Sequence, residues 1–427
     1  MTKRPSFSLR FLYFVLLWCV FSFKVFLGGI QEAGLRVDDL LLAIALVVLV
    51  FRGDLVRIPR SATVRAYLTF ILISLCSAVW NGVVGRVSVF YSLVFVIRLM
   101  EYIVFYYLGY VLLENGFQVW RWLRIYFYLL CVAVPLQMVH LLPTASSFDV
   151  SRASGNTNGP YELAAISAFF FCYFGYREHK RVKASLSAVL LILTAARSTI
   201  TGVVLSLVLR FVSQRKSKRK AVMAILLAGL VLWGCARLIS SIGSRDEASG
   251  SVAGRLYSSS TLMSVDYLSL YAGVPTYRTS DEYVNGMFSD SGSEAGEVEA
   301  DKSGMLRVFR WASLIKSTTA RFDSILIGMG PSFGSAAVDG YYVRVFIETG
   351  LAGLIAFLIF VRTLIRHGGE NSGAFREFII ILMVTGVFID IFASYKTMLF
   401  LWLWCGISEY ESTGSISEHA YSLSNEG

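Results

Sequence analysis

Stretches of 17 to 25 consecutive, mainly apolar residues recur from one end of this chain to the other. That is the length a helix needs to cross about 30 Å of hydrocarbon. Within hydrocarbon every backbone amide must be satisfied internally, which leaves helices and closed barrels as the spanning structures. The short alternating segments of a barrel are absent. With 56% of its 427 residues hydrophobic and 16% charged, the chain lies far from the composition of a soluble domain. The sequence therefore predicts an all-α polytopic membrane protein with about twelve transmembrane helices. They fall at 9–29, 35–51, 64–82, 87–113, 119–141, 159–176, 184–196, 198–213, 221–241, 340–362, 375–394 and 397–410. The first has a basic leader but no small-residue cleavage site after it, so it reads as a retained anchor.

Loop charges test that arrangement independently, because Lys and Arg accumulate on the cytoplasmic side. Basic clusters stand at Lys3, Arg4 and Arg10, at Arg52–Arg65, at Arg177–Lys183, at Arg215–Lys220 and at Arg362–Arg376. All fall on one face only if the apolar stretch around Thr194–Thr199 is divided into two spans. Residues 1–241 then hold helices one to nine and 242–339 form one large extracytoplasmic loop. Residues 340–410 hold helices ten to twelve, and 411–427 are a polar cytoplasmic tail expected to be disordered. From Ser244 to Asp323 the loop has eight Lys/Arg and eleven Asp/Glu. Its Ser280–Gly304 stretch reads as mobile and Leu306–Lys316 as an amphipathic helix. The net charge of +10 is a topology signal, and scattered inner-loop clusters give no nucleic-acid-binding surface.

Cys19, Cys76, Cys131, Cys172, Cys235 and Cys405 all lie in predicted spans and read as small buried residues. The four histidines are dispersed, and no ligand spacing suggests a metal site. Four short stretches on the predicted outer face hold the candidate chemistry. Ser151–Pro160 combines Arg152 and Asn156 with glycine turns whose amides can face an anion, or simply caps the following helix. Thr194–Thr199 places Arg197 at a helix break, where an intramembrane cation is a functional candidate or an interfacial snorkeller. Arg307 and Arg310-Trp311 offer guanidinium forks for phosphate and an aromatic face for a sugar; the alternative is an interfacial helix on lipid headgroups. Gly328–Gly334 then leads to Asp339-Gly340-Tyr341-Tyr342, where Asp339 is either a helix cap or a base for a sugar hydroxyl. Two internal ion pairs are expected, Arg344 with Glu348 and Arg98 with Glu101, and Gly350 with Gly353 reads as a close helix-packing pair.

The order Arg152-x-x-Gly155-Asn156…Pro160, then Ala196-Arg197-Ser198-Thr199, then a large loop ending Arg310-Trp311…Gly328-Met329-Gly330…Asp339-Gly340-Tyr341-Tyr342…Glu348-Thr349-Gly350-Leu351-Ala352-Gly353 resembles the O-antigen polymerase/ligase superfamily. These Wzy- and WaaL-type proteins transfer lipid-linked oligosaccharides. The resemblance covers about Arg152–Phe360; the first five spans match only in hydropathy. The histidine expected of the ligase branch before the post-loop helix is missing, which favours the polymerase branch. The resemblance implies a polyprenyl-diphosphate-linked oligosaccharide as substrate in a bacterial inner membrane, with the site facing the periplasm and no metal or cofactor. It implies Arg197 and Arg310 against the diphosphate; Asp339, from its own placement before the post-loop helix, is the third catalytic candidate, as base for the incoming hydroxyl. Arg152, Asn156, Trp311, Tyr341 and Tyr342 would bind substrate. Flippase and chain-length regulator proteins are the implied partners. The alternatives are a ligase and a transporter of lipid-linked sugars.

Overall fold

The computed structural model describes residues 6–22, 36–58, 60–142, 153–214, 267–290, 302–334, 338–366 and 373–424. Span 221–241, Arg152 and Cys235 lie outside the described residues. Among those residues every extended element is helical and none is a strand. Helices α1 (Phe7–Phe21), α2 (Val37–Phe51), α3 (Ala62–Val83), α4 (Val89–Glu114) and α5 (Val119–Met138) come first, followed by α6 (Pro160–Cys172), α7 (Arg181–Leu193) and α8 (Arg197–Gln214). Four short to medium helices follow: α9 (Tyr267–Gly273), α10 (Ser280–Asp290), α11 (Lys302–Thr319) and α12 (Phe322–Ile327). The last three are α13 (Tyr341–Arg366), α14 (Gly373–Phe388) and α15 (Tyr395–Ser424).

Local sequence explains the starts. The hydroxyls of Ser6 and Ser61 accept the amides of Leu9 (3.5 Å) and Val64 (3.3 Å), capping α1 and α3. Pro160 occupies the first turn of α6, where its missing N–H has no helical partner to lose. Four helices, Ala62–Val83, Val89–Glu114, Val119–Met138 and Tyr341–Arg366, are long and apolar enough to cross a membrane. Their outward faces keep large apolar side chains uncovered, among them Leu72, Ile97, Val132, Ile355 and Ile359. So continuous an apolar exterior suits lipid rather than water.

The core is aromatic. Tyr67, Phe360 and Trp402 meet at ring separations of 4.8 Å to 5.7 Å, and the Tyr67 hydroxyl donates to the Leu99 carbonyl at 2.9 Å. Around Phe169, the rings of Phe400 and Trp404 approach to 4.8 Å and 4.9 Å. α4 and α15 touch backbone to backbone, because Gly406 lies directly against the Tyr106 carbonyl, leaving no space for a Cβ. Helix α6 ends in a π-helical turn, Tyr173–Arg177, and at the start of α14 the Glu377 carboxylate accepts the Ser206 hydroxyl of α8.

Several expectations change. The stretch expected to be mobile starts with a formed helix, α10. The tail expected to be disordered continues α15 through Ser424. The amphipathic segment is longer than expected, running over Lys302–Thr319. Gly350 is not a packing glycine within a helix. It has φ +65° and ψ −164°, so α13 is two helical pieces meeting at a kink.

Candidate functional site

The kink in α13 is held by the glycine-rich segment that follows α12. Gly328 (φ +80°) lies against the backbone of Glu348 and Thr349, and Gly350 lies against the backbone of Leu326 and Ile327. The two breaks therefore interlock. Met329 N–H donates to Ile347 O (2.7 Å) and Gly330 N–H to Glu348 O (3.1 Å), satisfying carbonyls that the broken helix leaves open. Ser77 of α3 lies 2.6 Å and 2.7 Å from the carbonyl oxygens of Ile327 and Glu348, and Asn81 donates to Gly328 O at 3.2 Å. Arg86 completes the anchor, donating to Asn81 (2.9 Å) and to Asp323 (2.5 Å). Desolvation raises the Asp323 pKa, but the Arg86 hydrogen bond and charge outweigh it and hold the carboxyl below its ordinary value.

This anchored segment presents the start of α13. Asp339 sits just before it with φ +54°, a conformation that non-glycine residues seldom adopt. Its carboxylate does not cap the helix but accepts from Arg307 Nε of α11 at 3.1 Å. The capping group is Asp390, which follows α14. Its Oδ2 accepts the Asp339 amide (3.3 Å) and its Oδ1 the Gly340 amide (3.2 Å). Arg344 Nη2 lies 3.0 Å from the same Oδ2, while Arg344 Nη1 is 3.8 Å from Glu348. The expected Arg344–Glu348 pair is thus the looser arm of a triad, and Glu348 also accepts the Ser332 amide at 3.2 Å. Beside this triad Phe70, Phe95, Pro331 and Tyr341 enclose a gap with room for about one water molecule.

A second polar knot adjoins the first. Glu162, in the first turn of α6, accepts Asn158 N–H (2.9 Å), Ser394 Oγ–H (2.7 Å) and Lys396 N–H (2.7 Å). The Lys396 ammonium, itself buried, donates to the carbonyls of Val20 (3.2 Å), Ser22 (2.9 Å) and Asn156 (2.9 Å). Arg36 at the start of α2 pairs with Asp39 at 2.5 Å, faces Glu101 of α4 at 3.6 Å and stacks over the Tyr395 ring at 4.7 Å. Glu101 is therefore set against Arg36 from another helix rather than only against its neighbour Arg98. The two knots are joined where Arg307 Nη2 reaches the Tyr161 hydroxyl at 3.5 Å.

The candidate stretches are linked directly or through adjoining residues. Ala153 N–H of the first donates to Leu193 O, one residue before the second, at 3.4 Å. Arg307 joins the third to the fourth through Asp339, and reaches Tyr161, the residue that follows the first. Arg197 opens α8 after a break in which Ala195 has φ +52°. Two residues on, the Thr199 hydroxyl meets Thr385 of α14 at 3.4 Å. Gly340 lies against Val387, one half-turn further along α14, so the end of α14 meets Thr199 of α8 on one side and the residue before α13 on another. Arg310 lies one turn from Arg307 on α11. Burial pushes the Tyr283 phenol up to about 12, and the charges of Arg310 and Arg344 oppose that rise.

The proposed binding residues have specific local partners. Asn156 Nδ2 donates to Phe21 O (3.0 Å) and its Oδ1 accepts the Tyr126 hydroxyl (2.6 Å). Trp311 Nε1 donates to Val338 O at 2.7 Å, leaving its half-buried ring against Gly340. Tyr341 is buried against Phe357 and Phe392, and the Tyr342 hydroxyl donates to Met383 O at 3.1 Å. Burial disfavours the Arg307 cation, but the Asp339 charge prevails and the guanidinium pKa lies above its ordinary value. Arg307, its side chain 25% exposed, is therefore a permanent cation beside the more accessible Asp339 carboxylate, 35% exposed, a pairing suited to holding an anion next to an acceptor of protons.

Among the described residues no group of three or more His, Cys, Asp or Glu is placed to hold a metal ion. Sequence reading missed Arg36, Arg86, Glu162, Asp390 and Lys396. Arg86, Glu162, Asp390 and Lys396 are each a single charge at or inside an apolar run, the same signal that marked Arg197, whereas Arg36 opens an apolar run beside Asp38 and Asp39. No protein-family model matches the chain, and no curated protein matches it.

Proposed function

We propose that the protein is a membrane glycosyltransferase that polymerises polyprenyl-diphosphate-linked oligosaccharide repeat units of a surface polysaccharide. The observation that supports this reading is that, within an apolar helical bundle, Arg307 of α11 pairs with the partly exposed Asp339 carboxylate before α13 and reaches Tyr161 of α6, next to the first candidate stretch. On this reading the bundle has about twelve spans, residues 242–339 lie outside, and the site opens on the periplasmic face of a bacterial inner membrane.

The acceptor hydroxyl attacks the anomeric carbon of the lipid-linked glycan. The bond from that carbon to the diphosphate oxygen breaks, and its electron pair leaves with the diphosphate. The hydroxyl proton passes to Asp339. Arg197 and Arg310, with Arg307 beside them, stabilise the departing charge, the role that preorganised cations perform best in a water-poor site. Trp311 and Tyr342 flank the glycan, while the buried Tyr341 packs behind them against Phe357 and Phe392 and Asn156 holds the adjoining loop; Arg152 remains a candidate for substrate binding.

The test is the purified protein with a synthetic lipid-diphosphate repeat unit, wild type beside Arg197→Ala, resolved by gel. A product ladder lost in the variant supports polymerisation with the diphosphate at Arg197. A single transfer to a different acceptor indicates a ligase. Movement of the intact lipid across liposomes without transfer would replace the enzyme reading with transport.

A further inference from the structure

We propose that Asp390 is a positioning residue: while paired with the buried Arg344, it sets Asp339 in the geometry that the reaction uses, acting from a turn that sequence analysis placed inside a span. The inference rests on the glycosyltransfer reading for its consequence in rate, but not for the geometry itself.

A non-glycine residue with positive φ persists only where its surroundings over-determine it. For Asp339 (φ +54°) the determining group is the Asp390 carboxylate, which takes the amides of Asp339 at 3.3 Å and Gly340 at 3.2 Å. Gly340 flanks the first residue of α13 and Asp339 precedes it, so these amides border a helix N-terminus, where a negative charge is favoured. The same oxygen that holds the Asp339 amide also holds Arg344 Nη2 at 3.0 Å. One carboxylate thus connects a buried cation to the backbone that turns the Asp339 side chain toward Arg307. Asp390 is 17% exposed at its side chain and Asp339 35%, so the latter meets the substrate and the former acts through it. Loss of Asp390 leaves two helix-terminal amides without this acceptor and removes the nearest carboxylate from Arg344. Asparagine is the discriminating replacement. It keeps one acceptor oxygen, but its amide nitrogen faces a donor at the second position.

The experiment uses the full-length protein with Asp390→Asn, and Glu377→Gln as a variant perturbed at the opposite end of α14, where Glu377 accepts from Ser206. Repeat-unit transfer gives kcat and KM, and amide hydrogen exchange is followed on peptides spanning 338–345. We expect Asp390→Asn to lower kcat by about 100-fold, the effect of displacing a reacting group by about 1 Å, with KM little changed. Exchange at Asp339 and Gly340 should accelerate, while Glu377→Gln keeps both its rate and its protection there. An unchanged kcat, retained protection at those amides, or an equal slowing by Glu377→Gln would overturn the proposal. Should wild type make no polymer, the glycosyltransfer reading fails and exchange alone decides. Acceleration confined to this segment upholds the positioning of Asp339, and retained protection removes it.

Discussion

Replacing Gly350 by alanine tests the interlocked breaks directly. The residue has φ +65° and ψ −164°, a combination that costs a side-chain-bearing residue about 1–3 kcal/mol. An added Cβ would also lie 2.4 Å from Leu326 C and O and 2.5 Å from Ile327 N. These are backbone atoms, so relief requires the α12–Gly328 segment to move away from α13. That movement stretches the bonds from Met329 to Ile347 and from Gly330 to Glu348, each contributing about 1 kcal/mol net. The expected destabilisation is therefore about 3–5 kcal/mol. Gly273→Ala provides the control. Gly273 closes α9, and nothing lies within 4 Å of a Cβ added there, so alanine's helix preference makes the change neutral or stabilising by up to about 1 kcal/mol. Both variants would be heated in detergent and the monodisperse fraction followed by size exclusion. Equal tolerance of the two substitutions, or greater damage from Gly273→Ala, would refute the kinked description of α13.

Three further outcomes are expected. The Asp323 carboxyl has its pKa lowered in the folded protein, so its stabilising effect is complete above its unfolded value of about 3.9 and is lost as pH falls through the lower folded value. Asp323→Asn should lower stability at neutral pH, where the charged pairing with Arg86 is complete, and flatten that acid limb of a stability-against-pH curve. Lys396→Met should destabilise by about 3 kcal/mol, because buried carbonyls of Val20, Ser22 and Asn156 lose a charged donor; thermal unfolding of the detergent-solubilised protein measures it. Arg307→Lys keeps the charge but not the fork that reaches both Asp339 and Tyr161. It should slow repeat-unit transfer at least about tenfold without a matching loss of stability, read by gel ladder and thermal unfolding together.

Where an apolar run is bounded by turn residues, sequence and structure agree closely. Spans predicted at 64–82 and 87–113 are helices Ala62–Val83 and Val89–Glu114, and the division at Thr194–Thr199 is a real break with Ala195 at positive φ. Periodicity and length determine such elements locally. The site was legible only as candidate residues, because its partnerships cross long chain separations. Nothing near Asp339 announces that Asp390 caps its helix, and nothing near Asn156 announces Lys396. A lone charge at a span end has the same appearance whether it faces a headgroup or a carbonyl cluster. Gly350 was misread for a related reason: a small residue in an apolar helix suits close packing and a kink equally well, and only the opposing Gly328 segment distinguishes them.

The lysine bound to three carbonyls has a consequence for how the protein is made. Ribosomal synthesis delivers the chain from its N-terminus, so Val20, Ser22, Asn156 and Glu162 enter the bilayer long before Lys396 exists. Until α15 and the turn before it arrive, the nascent protein carries an unfilled oxygen cluster and a glutamate without the Ser394 and Lys396 donors, both poorly tolerated in lipid. The arrival of α15 therefore also closes this polar knot. A chain stalled before residue 390 would leave a polar seam open within an otherwise apolar bundle.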